Sequence, residues 1–244
     1  MKQIDLNCDV GEGMSNDGAV MPFISSCNIA CGAHAGDLFT MKKTIELAIK
    51  HNVKIGAHPS YPDRVNFGRK VIDISHQELT ISLRNQIQTF KILVEKSGEK
   101  MNHIKPHGAL YIEAITNQEV AELMIDVVKG FGNEFQLYVP FGSIIADLAQ
   151  LAGFELMYEG FADRAYEDNL QLVGRNKVDS VLFHPEQIYE HVYSMIKNGN
   201  VKTITGNYQE IKVDTICVHG DNPGALEIVK YLSEQLGLKG IKIR

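Results

Sequence analysis

The sequence predicts an α/β fold, a seven-stranded β/α barrel, on three observations. Short apolar runs alternate with longer segments whose apolar residues recur every three or four positions, the rhythm of successive βαβ units. Seven such runs occur, near 3–8, 26–31, 53–57, 102–106, 136–139, 154–158 and 214–218. The chain has 244 residues, a length that α/β barrels fill as one undivided domain. Right-handed crossovers make the sheet parallel. The same rhythm also permits an open doubly wound sheet.

The connecting helices follow from their caps and faces. Asp37 is placed to cap a helix that carries Leu38, Met41, Ile45 and Ile49 on one side, the stripe of an amphipathic helix. Ser75 and Glu78 form the two ends of a capping box. Leu79, Leu83, Ile87, Phe90 and Val94 continue that helix to Gly98. Asn117 and Gly130 bracket another helix, and Gly142 and Gly153 a shorter one. Pro185 and Pro223 suit first-turn positions, with those helices ending near Gly199 and Gly237. One segment, 201–213, reads instead as a β-hairpin turning at Gly206 and Asn207. It is an excursion within a single domain spanning 1–244.

Composition narrows the function. A net charge of −6 argues against a nucleic-acid partner, which needs a basic face. No apolar run approaches the roughly 18 residues of a membrane span, and the opening MKQIDLNCDV lacks an apolar leader core. The expected setting is the cytoplasm. Four cysteines, with Cys27 and Cys31 as a lone C-x-x-x-C, read as reduced thiols rather than a zinc knuckle.

In both α/β architectures function collects at the carboxyl ends of the strands. Asn7, Asp9 and Glu12 follow the first run, and His34 and Asp37 the second. His58 follows the third, and Lys105, His107 and Tyr111 the fourth. Glu159, Asp163 and Arg164 follow the sixth, and His219 and Asp221 the last. One histidine in such a place is ordinarily packing or capping. Four of the nine, His34, His58, His107 and His219, point to one shared site. Asp9, Glu12, His34, Asp37 and His219 are the candidate catalytic groups. Asn7, Lys105, Tyr111 and Arg164 are the candidate substrate-binding ones. His51, His76, His103, His184 and His191 sit at helix ends, in helices or before a strand, and read as structural. Neither phosphate-binding glycine loop occurs, nor a G-x-S-x-G elbow. Histidines and carboxylates at a barrel mouth suit metal-activated water or metal-free acid–base chemistry.

The strand-end segments resemble the LamB/YcsF family. The matching stretches are DLNCDVGE (5–12), SSCNIACGAHAGD (25–37), GAHPSYPDRVNFGRK (56–70), IKPHGALY (104–111), EGFADRAY (159–166) and DTICVHGDNP (214–223). They run in order over nearly the whole chain. Lys70 departs from a more usual arginine, and 167–200 matches least. The resemblance implies a barrel similar to the glycoside hydrolase/deacetylase superfamily. It implies one component of an ATP-hydrolysing 5-oxoprolinase, opening 5-oxo-L-proline to L-glutamate with ATP as co-substrate and the B and C subunits as partners. Metal-bearing relatives in that superfamily imply Asp9, His58 and His107 as ligands of a possible divalent metal. The alternatives are a metal-dependent amide hydrolase of deacetylase type on another substrate, or a non-catalytic substrate-binding subunit.

Overall fold

A computed structural model describes residues 2–244. Seven parallel strands close into a barrel: β1 (Lys2–Val10), β2 (Ser26–Ala30), β3 (Lys54–His58), β4 (His103–Ile104), β5 (Gln136–Pro140), β6 (Glu155–Phe161) and β9 (Thr215–Val218). The ring closes where β1 pairs with β9, Asp5 opposite Thr215. An antiparallel pair, β7 (Asn200–Lys202) and β8 (Tyr208–Glu210), stands outside the ring. The helices around it are α1 (Asp17–Val20), α2 (Leu38–Lys50), α3 (His76–Lys96), α4 (Gly108–Thr116), α5 (Gln118–Lys129), α6 (Ile144–Leu151), α7 (Pro185–Asn198) and α8 (Ala225–Leu238).

The caps form as the sequence predicts. Asp37 accepts from the Thr40 amide at 2.8 Å, and the Ser75–Glu78 capping box is complete. Two elements differ from expectation. α4 starts directly after His107 and only Asn117 separates it from α5, so its apolar pattern merges with its neighbour's. A short strand, β10 (Ile241–Ile243), pairs with Lys2–Ile4 at the lower end of β1. Three residues are too few to show a period. α8 accordingly runs past Gly237 to Leu238, and Gly240 takes the left-handed turn at φ +72°.

Along β1 the side chains alternate, as a pleated strand requires. Leu6, Cys8 and Val10 belong to the apolar layer under the helices, with Ile45, Leu83, Phe90 and Leu232. Each such fully buried side chain contributes about 1.5–3 kcal/mol. Asp5, Asn7 and Asp9 occupy the other face, the lumen, and all three are buried. The lumen is therefore polar, and hydrogen bonds fill it. Asp5 accepts from Ser26 Oγ and Thr215 Oγ1, each at 2.6 Å. Asn28 donates to Asn7 at 2.7 Å and to Asp9 at 2.8 Å. The His103 ring stacks on Tyr138 at 3.9 Å. Gly56 makes room for it: a Cβ there would lie 2.0 Å from His103 Nε2. His103 is thus structural, as read from sequence, but at the centre of the barrel.

Candidate active site

Four ligand-bearing side chains meet at the carboxyl ends of the strands. Asp9 and His58 come from the last turns of β1 and β3, and Glu12 and His107 from the loops beyond β1 and β4. All four are buried, and one ligand atom from each lies within 4.8 Å of the others. The histidine tautomers follow from their fixed partners. His58 Nδ1 is 2.8 Å from the Lys105 carbonyl, and His107 Nε2 is 2.9 Å from the Phe67 carbonyl. A carbonyl only accepts, so each of those nitrogens carries the hydrogen. The remaining nitrogens, His58 Nε2 and His107 Nδ1, therefore present lone pairs. They face each other at 2.9 Å. Two facing lone pairs repel unless a proton or a metal cation lies between them. Asp9 Oδ2 at 3.6 Å and Glu12 Oε1 at 3.4 Å flank the same point. This donor set, two imidazoles and two carboxylates, fits a divalent cation such as zinc. Both carbonyl bonds match the outer support that metal-bound histidines receive. Phe67 sits at φ +57°, a strained backbone for a bulky residue, and the strain serves to aim its carbonyl.

Charges around the cluster are ordered. Burial works against ionisation of Asp9, but the Lys105 ammonium overcomes it and holds that carboxyl well below its usual range. Burial, with Asp9 beside it, pushes the Glu12 carboxyl well up. Glu12 Oε1 lies 3.1 Å from His34 Nε2. Burial lowers His34 to about 2. His34 stacks flat on His107 at 3.7 Å, and its Nδ1 meets Ser60 Oγ at 2.9 Å.

Across the cleft, His219 Nδ1 bonds Asp163 Oδ1 at 2.8 Å, and Asn222 holds the other Asp163 oxygen at 3.0 Å. Burial opposes the Asp163 charge, but His219 and Asn222 keep its carboxyl below the usual range. His219 Nε2 makes no protein hydrogen bond and belongs to the lining of a cleft of about 420 Å³. Asp9, His58, Lys105, His107 and Phe161 line the same cleft. A larger hollow of about 930 Å³ lies between α7 and the β7–β8 hairpin. It holds none of the strand-end candidates, so size does not identify the site.

The structure sorts the candidates. Asp9, Glu12, His34, His58 and His107 form one cluster, and His219 faces them across the cleft. Asp37 does not join: it is exposed and spent as the cap of α2. Asn7 lies one pleat below Asp9, and its amide is used up by Glu159 at 3.0 Å, Thr215 at 2.7 Å and Asn28. It has no group left for a substrate. Lys105 Nζ is likewise spent on Asp9 at 2.9 Å, Glu159 at 3.0 Å and Cys217 at 3.1 Å. Its role is to keep Asp9 anionic. Arg164 is pinned to the carbonyls of Ser180 and Val173 at the cleft edge. Tyr111 lines the cleft, and burial, then the Glu159 carboxylate beside it, pushes its hydroxyl well up. Asp163 is visible in the sequence beyond the sixth strand but has no role there, and Ser60, Asn222, Arg69 and Arg175 carry no signal beyond their loops. All four cysteines are buried free thiols.

Comparison with known proteins bears on the family and the fold. The LamB/YcsF family model matches residues 4–244. A relative from Pyrococcus furiosus, named as the A subunit of 5-oxoprolinase, is 40% identical, over 99% of this chain and 96% of that one. The crystal structure of a lactam utilization protein from Thermus thermophilus superposes with a TM-score of 0.93 and 33% identity, covering 99% of both chains. A family 4 carbohydrate esterase from Streptomyces lividans shares the fold alone, at a TM-score of 0.52 and 9% identity. No helix among the described residues is long and apolar enough to cross a membrane.

Proposed function

The chain belongs to the LamB/YcsF family, and on that premise we propose that it opens the lactam ring of 5-oxo-L-proline to L-glutamate as one component of an ATP-dependent 5-oxoprolinase. Its relatives' names support a role in lactam use and in a multi-subunit assembly. The observation that carries the reading is the pair of converging lone pairs on His58 and His107, set across a cleft from the His219–Asp163 pair.

A lactam amide is unactivated, and the five-membered ring re-closes readily, so ring opening needs both activation and an energy source. The chain has no recognisable phosphate loop. ATP is accordingly spent by the partner B and C subunits, which phosphorylate the lactam oxygen. Ring opening on this chain then adds one water to the former carbonyl carbon and breaks its bond to nitrogen, and a second water releases phosphate from the acyl phosphate so formed. The nitrogen takes up a proton as the ring opens.

Asp9, Glu12, His58 and His107 would hold a divalent cation, which supplies Lewis-acid polarisation and a more acidic water. Lys105 keeps Asp9 charged for that purpose. His219 Nε2 exchanges the proton at the ring nitrogen, and Asp163 fixes its tautomer and stabilises its charged form. Tyr111 contributes its ring to the wall beside the bound lactam. The flat stack of His34 on His107 closes the inner wall against stray water.

The test combines the three subunits with 5-oxo-L-proline and ATP and measures glutamate. A folded complex that makes none would refute the reading. In a working complex, His219→Gln is expected to slow glutamate formation about 10²–10⁴-fold while leaving the folded chain intact.

A further inference from the structure

The cleft rim carries more positive charge than its own carboxylates neutralise. Arg69, from the loop after β3, bonds Asp221 Oδ2, and Arg175, from the loop after β6, reaches Asp221 Oδ1 at 3.9 Å. One carboxylate thus answers two guanidinium groups, one at each oxygen. Arg164 adds a third positive charge beside them. Its fork is already spent on backbone carbonyls. Crowding has an electrostatic signature: burial, then the Arg175 charge, lowers Arg164 to about 10. Of the other acids near the cleft, Asp163 is committed to His219 and Asn222, Asp9 and Glu159 to Lys105, and Glu12 to His34. Glu113, which also lines the cleft, bonds Asn117 and pairs with neither arginine.

Arg69 and Arg175 are each about one-third exposed, at 33% and 34%, and line the same cleft as His58, His107 and His219. Arg69 is also braced over the Phe67 ring at 4.8 Å, the residue whose carbonyl orients His107. Planar guanidinium groups bind a carboxylate through paired, charge-assisted hydrogen bonds. The geometry points to a specificity device. We propose that Arg69 and Arg175 hold the carboxylate of the substrate, and that Asp221 occupies them as an internal stand-in until the substrate arrives.

This inference rests on the lactam reading above and sharpens it. A lactam bearing a carboxylate next to the ring nitrogen would be anchored at the rim with its carbonyl toward the His58–His107 pair. A neutral lactam or an N-acetylated sugar would find no partner for the arginines. Three loops, following β3, β6 and β9, meet at this one ion cluster, so substrate exchange at Asp221 would also retune how they are tied together.

The experiment titrates the full chain with 5-oxo-L-proline, 2-pyrrolidinone and inorganic phosphate, using ligand-observed NMR, which reads weak binding. Arg69→Gln and Arg175→Gln should each weaken 5-oxo-L-proline about 10-fold or more and leave 2-pyrrolidinone within about twofold. Arg69→Lys, which keeps the charge but not the fork, should fall between. Asp221→Asn should tighten 5-oxo-L-proline several-fold, because the internal competitor is gone. Thermal melts confirm that each variant is folded. Equal weakening of both lactams, no change in either, or no binding of 5-oxo-L-proline by the folded wild type would overturn the proposal. So would an effect confined to inorganic phosphate, which would assign the arginines to a phosphoryl group. Arginine-dependent binding in a chain whose assembled complex makes no glutamate would leave the clamp standing and refute the catalytic reading instead.

Discussion

The lower lumen and the mouth of the barrel bury polar side chains to the same depth but finish them differently. In the lumen, Asp5 accepts from four hydroxyls, those of Ser25, Ser26, Thr215 and Tyr138, at 2.6–3.3 Å. Asn7, Asn28 and His103 close on one another and on their neighbours. Every donor there has an acceptor, so the network stabilises one register of the strands and offers nothing to a ligand. At the mouth, His58 and His107 present lone pairs to each other, and His219 Nε2 stands without a protein partner. Unmet hydrogen-bonding capacity in a buried, concave place is what separates a binding site from a polar core. Lys105 joins the two regions, since it neutralises Asp9 of the mouth and Glu159 beside the lumen network.

That joint is where the largest effect is expected. Lys105→Met leaves Asp9 and Glu159 as buried, uncompensated charges, and should destabilise the fold by about 3–5 kcal/mol in urea melts. A variant as stable as wild type would show that the two regions are not electrostatically linked. His58→Ala tests the mouth alone. It should cut glutamate formation by the assembled complex about 10³-fold or more, while the melting temperature holds or rises, because the variant removes a repulsive contact. Loss of stability in step with activity would place His58 with the lumen network instead.

The smallest effect lies outside both regions, at His191 on α7. Its Nε2 is buried with no side-chain partner, and burial lowers its pKa from about 6.5 to about 4. The unfolded chain therefore binds this proton first on acidification. Stability from this residue is complete above about pH 6.5 and declines as pH falls toward about 4. His191→Leu should flatten that limb of a stability–pH curve. An unchanged limb would mean that His191 is already solvated.

The sequence made the barrel legible because each strand carries apolar residues on at least one face between polar turns, and because Asp37, Ser75 and Glu78 mark helix starts chemically. It was silent on β10, whose three residues show no period, and on α4, whose pattern runs into α5. Within the site, position after a strand picked out Asp9, Glu12, His34, His58 and His107, which the structure places in one cluster, and His219, which it places across the cleft. The same rule could not measure depth. Asn7 and Asp9 share a face two residues apart, yet one closes the lumen and the other faces the cleft. Nor could it separate a cap from an acid, as Asp37 shows. Arg69 and Arg175 stand in irregular loops, where no periodicity announces which way a side chain points.

The central claim is that the mouth is completed by a cation, whereas the lumen completes itself. Calorimetric titration of the metal-free chain with zinc or manganese at neutral pH tests it most directly. The predicted result is uptake of one equivalent per chain, abolished by His58→Ala and by Asp9→Asn but unchanged by His191→Leu. Absence of uptake by a folded wild-type chain, with His58 and His107 instead sharing a single proton in imidazole ¹⁵N spectra, would contradict it.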